Sequence, residues 1–149
     1  MKTLVVGLGN PILGDDGVGW HVAEEVGRLR PYQEVCFLSL GGLSLMERLI
    51  GYERVILVDA LQSGNGRIGS VVVCGLNELP NLNSGHTTAV HDTSLQTALD
   101  LGQQMGAKLP DEIIIVGIEA EQVYDFSDAL TPKIAEAVPK AVTAVLNLV

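Results

Sequence analysis

Three acids and a histidine stand where apolar runs of this chain break off. Asp15 and Asp16 follow the run Thr3–Leu8, Asp59 closes the run Val55-Ile56-Leu57-Val58, and His91 lies between Val90 and Asp92. Two carboxylates and an imidazole with open positions can hold a borderline divalent ion such as nickel, zinc, iron or manganese. A carboxylate can also act as general base toward water. Asp59 carries most weight, because a carboxylate at the end of a buried strand is costly unless something pairs with it. Asp15 and Asp16 have a plainer role open to them, capping the first helix, since helix amino ends welcome acids. A lone histidine near a helix start is commonly structural or solvated. His86, five residues before His91, can take its place, and His21 sits on the first helix as a surface or packing residue. Cys36 and Cys74 fall inside apolar runs without a Cys-x-x-Cys spacing, which makes them small buried hydrophobes in a reducing compartment. No serine or cysteine nucleophile with a histidine partner stands in a recognisable motif, so water is the expected nucleophile.

These residues must be positioned by elements whose periodicity alternates between strand and helix, the mark of a sheet covered by helices. Continuous apolar runs predict strands over Thr3–Leu8, Glu34–Leu40, Arg54–Asp59, Ile68–Cys74 and Glu112–Ile118. Unbroken apolar strands belong to a mostly parallel sheet buried on both faces. The link before the fourth strand is too short for a helical crossover, so that strand runs antiparallel to the third. Val18, Val22, Val26 and Leu29 give one helix its apolar stripe, and Leu43–Ile50 forms a shorter one. Thr93-Ser94-Leu95-Gln96 fits a capping box opening a third helix that reaches Met105. Thr131 followed by Pro132 starts a fourth, with Val138, Val142, Val145 and Leu146 as its stripe. Between them Asn77–Val90 reads as a long polar loop, of a length that is usually functional or mobile.

Composition narrows the function classes. At 149 residues, 47% hydrophobic and 18% charged, the chain is one folded domain with a full core, residues 1–149. A net charge of −9 with scattered basic residues argues against nucleic acid. Asn10, Pro11, Asp15 and Asp16 interrupt the amino-terminal apolar run too early for a signal peptide or membrane span.

The loop Gly7-Leu8-Gly9-Asn10-Pro11 invites three comparisons. A dinucleotide fingerprint wants a third glycine where Ile12 stands, and an acid near the end of the second strand, where Ser39 and Leu40 stand. Peptidyl-tRNA hydrolases open with a similar five residues, but their catalytic histidine has no counterpart in Ile12-Leu13-Gly14-Asp15-Asp16, and a basic surface is missing. Gly-Asn, a short apolar spacer, then Asp15-Asp16-Gly17-Val18-Gly19 resembles the opening of the hydrogenase maturation endopeptidases. The likeness continues in order through Gly41-Gly42, Val58-Asp59-Ala60, His91, Val116-Gly117-Ile118-Glu119 and Leu130-Thr131-Pro132.

The resemblance implies a three-layer α/β/α sandwich of the phosphorylase/hydrolase-like kind, with a mixed five-stranded, mostly parallel sheet and one antiparallel strand. It implies a cytoplasmic, monomeric endopeptidase that trims the C-terminal extension of the nickel–iron hydrogenase large-subunit precursor after nickel insertion. Asp16, Asp59 and His91 are its implied catalytic residues and metal ligands, reading nickel carried by the substrate, and the Gly41-Gly42 and Asn77–Val90 loops are candidates for gripping the tail. Leu40 departs from the pattern, since the family commonly has an acid before the double glycine, and Asp92, Glu119 and Glu121 are candidates to compensate. A metal-dependent aminopeptidase and a non-catalytic nickel or precursor chaperone are the competing classes.

Overall fold

In the computed structural model, which describes residues 2–64, 66–78, 87–121 and 125–149 and only the backbone of residues 87–94, the β-branched runs form strands as expected. Thr3–Leu8 is β1, Glu34–Leu38 β2, Arg54–Leu61 β3, Val71–Gly75 β4 and Glu112–Glu119 β5. The sheet order is β2-β1-β3-β5-β4. Four strands are parallel and β4 alone runs against its neighbour. Val18–Leu29 is α1, Gly42–Leu49 α2, Thr87–Gln104 α3 and Pro132–Leu148 α4.

Strand alternation sorts the core into two layers. Val5, Ile56, Val58, Val116 and Ile118 pack under α1 and α4, with Val18, Val22, Ile134 and Val145 of those helices. Leu4, Val6, Leu57 and Ile115 pack on the opposite face, with Leu45 and Leu49 of α2 and Leu95 and Ala98 of α3. The layers are those of the expected three-layer sandwich. The helix α1 lies unusually close to the sheet, because a Cβ at Gly19 would sit 2.2 Å from the Val58 carbonyl oxygen and 2.6 Å from that of Leu8. A glycine there lets the first turn of α1 touch the carboxyl ends of β1 and β3 together.

Several boundaries differ from the sequence reading. The strand β3 continues two residues beyond Asp59, to Leu61, so that acid lies inside a strand opposite Gly117. The strand β4 has the expected direction, but its hydrogen-bonded partner is β5, and it starts at Val71 because Arg67–Ser70 closes a turn through the Ser70 N–H and the Arg67 carbonyl. The helix α3 begins at Thr87, so Thr93-Ser94 fall in its interior and the expected loop Asn77–Val90 ends in helix. The segment between it and the short 3₁₀ helix Leu76–Glu78 lies outside the described residues, as does His86. The expected start of α4 holds, with Thr131 at the N-cap and Pro132 at the first helical position. Among the described residues no helix is long and apolar enough to cross a membrane.

Candidate functional site

The chain steps from β1 to β2 on one side, then returns past β1 to place β3 on the other. The carboxyl ends of β1 and β3 therefore flank the point where the strand order reverses, the usual site for ligands in such sheets. After β1 the chain turns sharply at Gly9, whose φ of 135° and whose would-be Cβ, 2.1 Å from the Asp16 carbonyl oxygen, exclude any side chain. The Gly9 N–H donates to the Leu38 carbonyl at the end of β2 (3.0 Å). The Asn10 side chain accepts from the Ile12 N–H (3.1 Å), and a 3₁₀ helix, Gly14–Gly17, follows and packs against β3.

The two neighbouring acids of this loop do different work. Asp16 is half-buried, and its Oδ2 accepts from the Asn10 N–H (2.9 Å), which folds the loop back over the end of β1. Asp15 is only 5% exposed and turns the other way. Its Oδ1 accepts from the Thr131 N–H and its Oδ2 from the Thr131 hydroxyl, both at 2.8 Å. Asp15 thus ties the loop to the amino end of α4, and not to α1 as capping considerations imply. No sequence signal announces a bond across 116 residues.

Asp59 is buried at 3% exposure, on the sheet face it shares by alternation with Val55 and Leu57, under α2 and α3. Among its contacts, its Oδ1 accepts from the following Ala60 N–H (2.8 Å). Gly117 lies beside it in register, and a Cβ there would collide with Leu61, 2.1 Å away. His91 is four residues before Leu95 in α3, one turn nearer the amino end, and its side chain lies outside the described residues. Leu95 is wholly buried in the cluster under the Asp59 face. The fold thus brings the loop of Asp16 and the strand of Asp59 to adjacent strand ends, and docks the helix of His91 on the face toward which Asp59 projects. Among the described residues no three His, Cys, Asp or Glu side chains gather to hold a metal ion, and His91 is not among the side chains described.

The candidates to compensate for Leu40 have other surroundings. Glu119 is buried and accepts from the Ser63 hydroxyl (2.6 Å) and the Gly64 N–H (3.1 Å), so it organises the loop after β3. Glu121 is exposed, Asp92 is outside the described side chains, and Leu40 itself packs against the α2/α3 cluster. Both cysteines are half-buried and form no disulfide, and burial pushes the Cys36 thiol above its ordinary value. A protonated thiol in an apolar setting is a poor nucleophile.

Sheet order, layering and acid placement define an α/β/α protein with its candidate site at a strand-order switch point. The chain belongs to the hydrogenase maturation protease family, whose model matches residues 20–148. It is 25% identical to the hydrogenase expression/formation protein HupD of Rhizobium leguminosarum, over 99% of this chain and 73% of that protein. It is 26% identical to a putative hydrogenase maturation protease of Methanocaldococcus jannaschii, over 97% of this chain and 94% of the relative. The hydrogenase maturating endopeptidase HybD of Escherichia coli shares the fold with a TM-score of 0.82, at 24% identity, over 99% of this chain and 91% of that one. The [NiFe] hydrogenase maturation protease HybD of Thermococcus kodakarensis matches with a TM-score of 0.73 and 26% identity, over 99% of both chains.

Proposed function

We propose that this protein is the endopeptidase that removes the C-terminal extension of a nickel–iron hydrogenase large-subunit precursor once nickel is in place, in the cytoplasm and as a monomer that meets its substrate. The observation that carries the reading is the arrival of Asp16 and Asp59 at adjacent ends of β1 and β3, in a chain of a maturation protease family. With His91, contributed by the helix docked on the Asp59 face, they form an oxygen–oxygen–nitrogen set suited to a borderline divalent ion. The ion is cargo of the precursor, so the site reads the substrate's metal and holds none of its own between turnovers.

Water attacks the scissile carbonyl. A carboxylate of the pair takes its proton as general base and returns it to the departing amine as the peptide C–N bond breaks, and the substrate's nickel fixes the tail beside it. Asp59 is the acid best placed for this, because it projects onto the sheet face on which the helix of His91 docks.

Incubation of nickel-loaded precursor with the protein, followed by intact-mass spectrometry, tests the proposal through loss of a C-terminal peptide. The variant Asp59→Asn keeps an oxygen to accept from the Ala60 N–H, so it is expected to fold normally and leave the precursor uncut. Cleavage at the wild-type rate would remove Asp59 from the chemistry. Unchanged precursor mass with the wild-type protein, in a stable complex, would make the chain a binder and not a protease.

A further inference from the structure

We infer that a recess formed by Arg67, Lys133 and Lys140 is a subsite for the terminal carboxylate of the tail that is removed; this rests on the processing function proposed above. The chain has nine basic residues against eighteen acidic ones. Three of the nine nevertheless line one recess of about 520 Å³, with Ile68, Gly69 and a single acid, Glu136. Lys133, Glu136 and Lys140 recur at helical spacing on one face of α4. Arg67 comes from the turn before β4, which sits directly on that helix: a Cβ at Gly69 would lie 3.0 Å from the Lys133 carbonyl oxygen.

Among the described residues none of these cations has an ion-pair partner. The ion pairs among the described residues are Arg28–Glu25 and Arg54–Glu112, both elsewhere. The first turn of α4 has no acid of its own, so the positive end of the helix dipole adds to the same field. Three cations against one acid, gathered on a chain of net charge −9, describe a place suited to an anion.

The recess adjoins a hollow that reaches the loop carrying Asp16. A second hollow of about 420 Å³ shares Ile68 and Lys133 with it and is lined by Asp15, Glu121 and Thr131. Asp15 is the immediate neighbour of Asp16, and both oxygens of its carboxylate are held by Thr131. An extended tail advances about 3.3 Å per residue and can run from the Asp16 loop past Thr131 to Lys133. Whatever its sequence, such a tail ends in an α-carboxylate. A cationic trio at the far end of the route therefore reads that the peptide terminates there.

The test uses a synthetic peptide of the precursor's C-terminal extension, made as the free acid and as the C-terminal amide, with binding measured by titration calorimetry. Wild-type protein is expected to bind the acid roughly three- to tenfold more tightly, the range of a few solvent-exposed ion pairs. In Lys133→Glu/Arg67→Glu the difference disappears, and with whole nickel-loaded precursor KM rises by a similar factor while kcat is kept. Raising salt to about 0.5 M, where the Debye length is roughly half its physiological value, removes most of the effect. Arg30→Glu/Lys108→Glu changes net charge equally at exposed positions away from the recess and leaves KM unaltered. Should the double reversal fold poorly, Lys133→Gln/Lys140→Gln gives the same readout in milder form. Equal binding of acid and amide, or a KM shift matched by the distant pair, overturns the subsite and leaves processing standing. Wild-type protein that never cuts the precursor sinks the processing reading instead, while the peptide titration still reports on the recess.

Discussion

Asp15 and Asp16 show how adjacent residues of one type take up different places in one loop. The first lies buried against Thr131, while the second stays half-exposed at the strand-order switch. Thr131→Val keeps the backbone N–H that serves Asp15 Oδ1 and removes only the hydroxyl serving Oδ2. A buried carboxylate oxygen then loses its donor, at a cost of about 1–3 kcal/mol. Thermal unfolding should show a fall in Tm of roughly 2–4 °C per kcal/mol lost. Thr131→Ser should restore it, and an unchanged Tm in the valine variant would show that the clamp contributes nothing. Cys36 supplies a pH test. Burial raises its folded pKa, so its contribution to stability is complete below the ordinary thiol value and is lost as pH rises through the raised one. Alkylation of the native protein should therefore stay slow at neutral pH and leave processing intact, and rapid inactivation by a thiol reagent near pH 7 would contradict this. At this scale the sequence exposes Asp59, because an acid inside Val55–Leu61 stands out against its neighbours. It hides the function of Asp15, because a hydrogen-bond partner 116 residues away leaves no local pattern.

Among the elements, α3 connects the hydrophobic core to the candidate site. Its inner stripe includes Leu95, wholly buried against the cluster that contains Leu57 and Ile115. Leu95→Ala removes this anchor and should destabilise the protein by about 2–5 kcal/mol, measured by denaturant unfolding. Processing should fall more steeply than the folded fraction, since His91 sits one turn along the same helix. Activity that merely tracks the folded fraction would separate the helix from the chemistry. The strands and α1 are legible from sequence because burial on both faces, or on one helical stripe, writes itself as apolar runs and spacing. The amino end of α3 is not. A capping-box pattern at Thr93–Gln96 marks where a helix can begin, but Thr87–Asp92 contains neither glycine nor proline to prevent an earlier start, and propensity alone is a weak guide. The partner of β4 is likewise invisible, because a short connection fixes the direction of a strand and not which neighbour it joins.

For the whole molecule, the question is why a maturation protease does not cut other chains. An acidic protein with two carboxylates borne near adjacent strand ends at a sheet switch point repels anionic peptide segments. On the proposed reading, a precursor that presents a divalent cation supplies the charge those carboxylates lack, and its tail is held in reach only when that cation is present. The binding energy that positions the scissile bond would then come from a group found only in correctly loaded substrate. Precursor prepared without nickel should remain uncut over a period in which loaded precursor is fully processed, as followed by intact mass. Adding nickel salt to the protein alone should not substitute, because the ion must be fixed beside the tail. Efficient cleavage of nickel-free precursor would show that the acids serve the reaction without reading the metal, and selectivity would then have to reside in contacts to the tail itself.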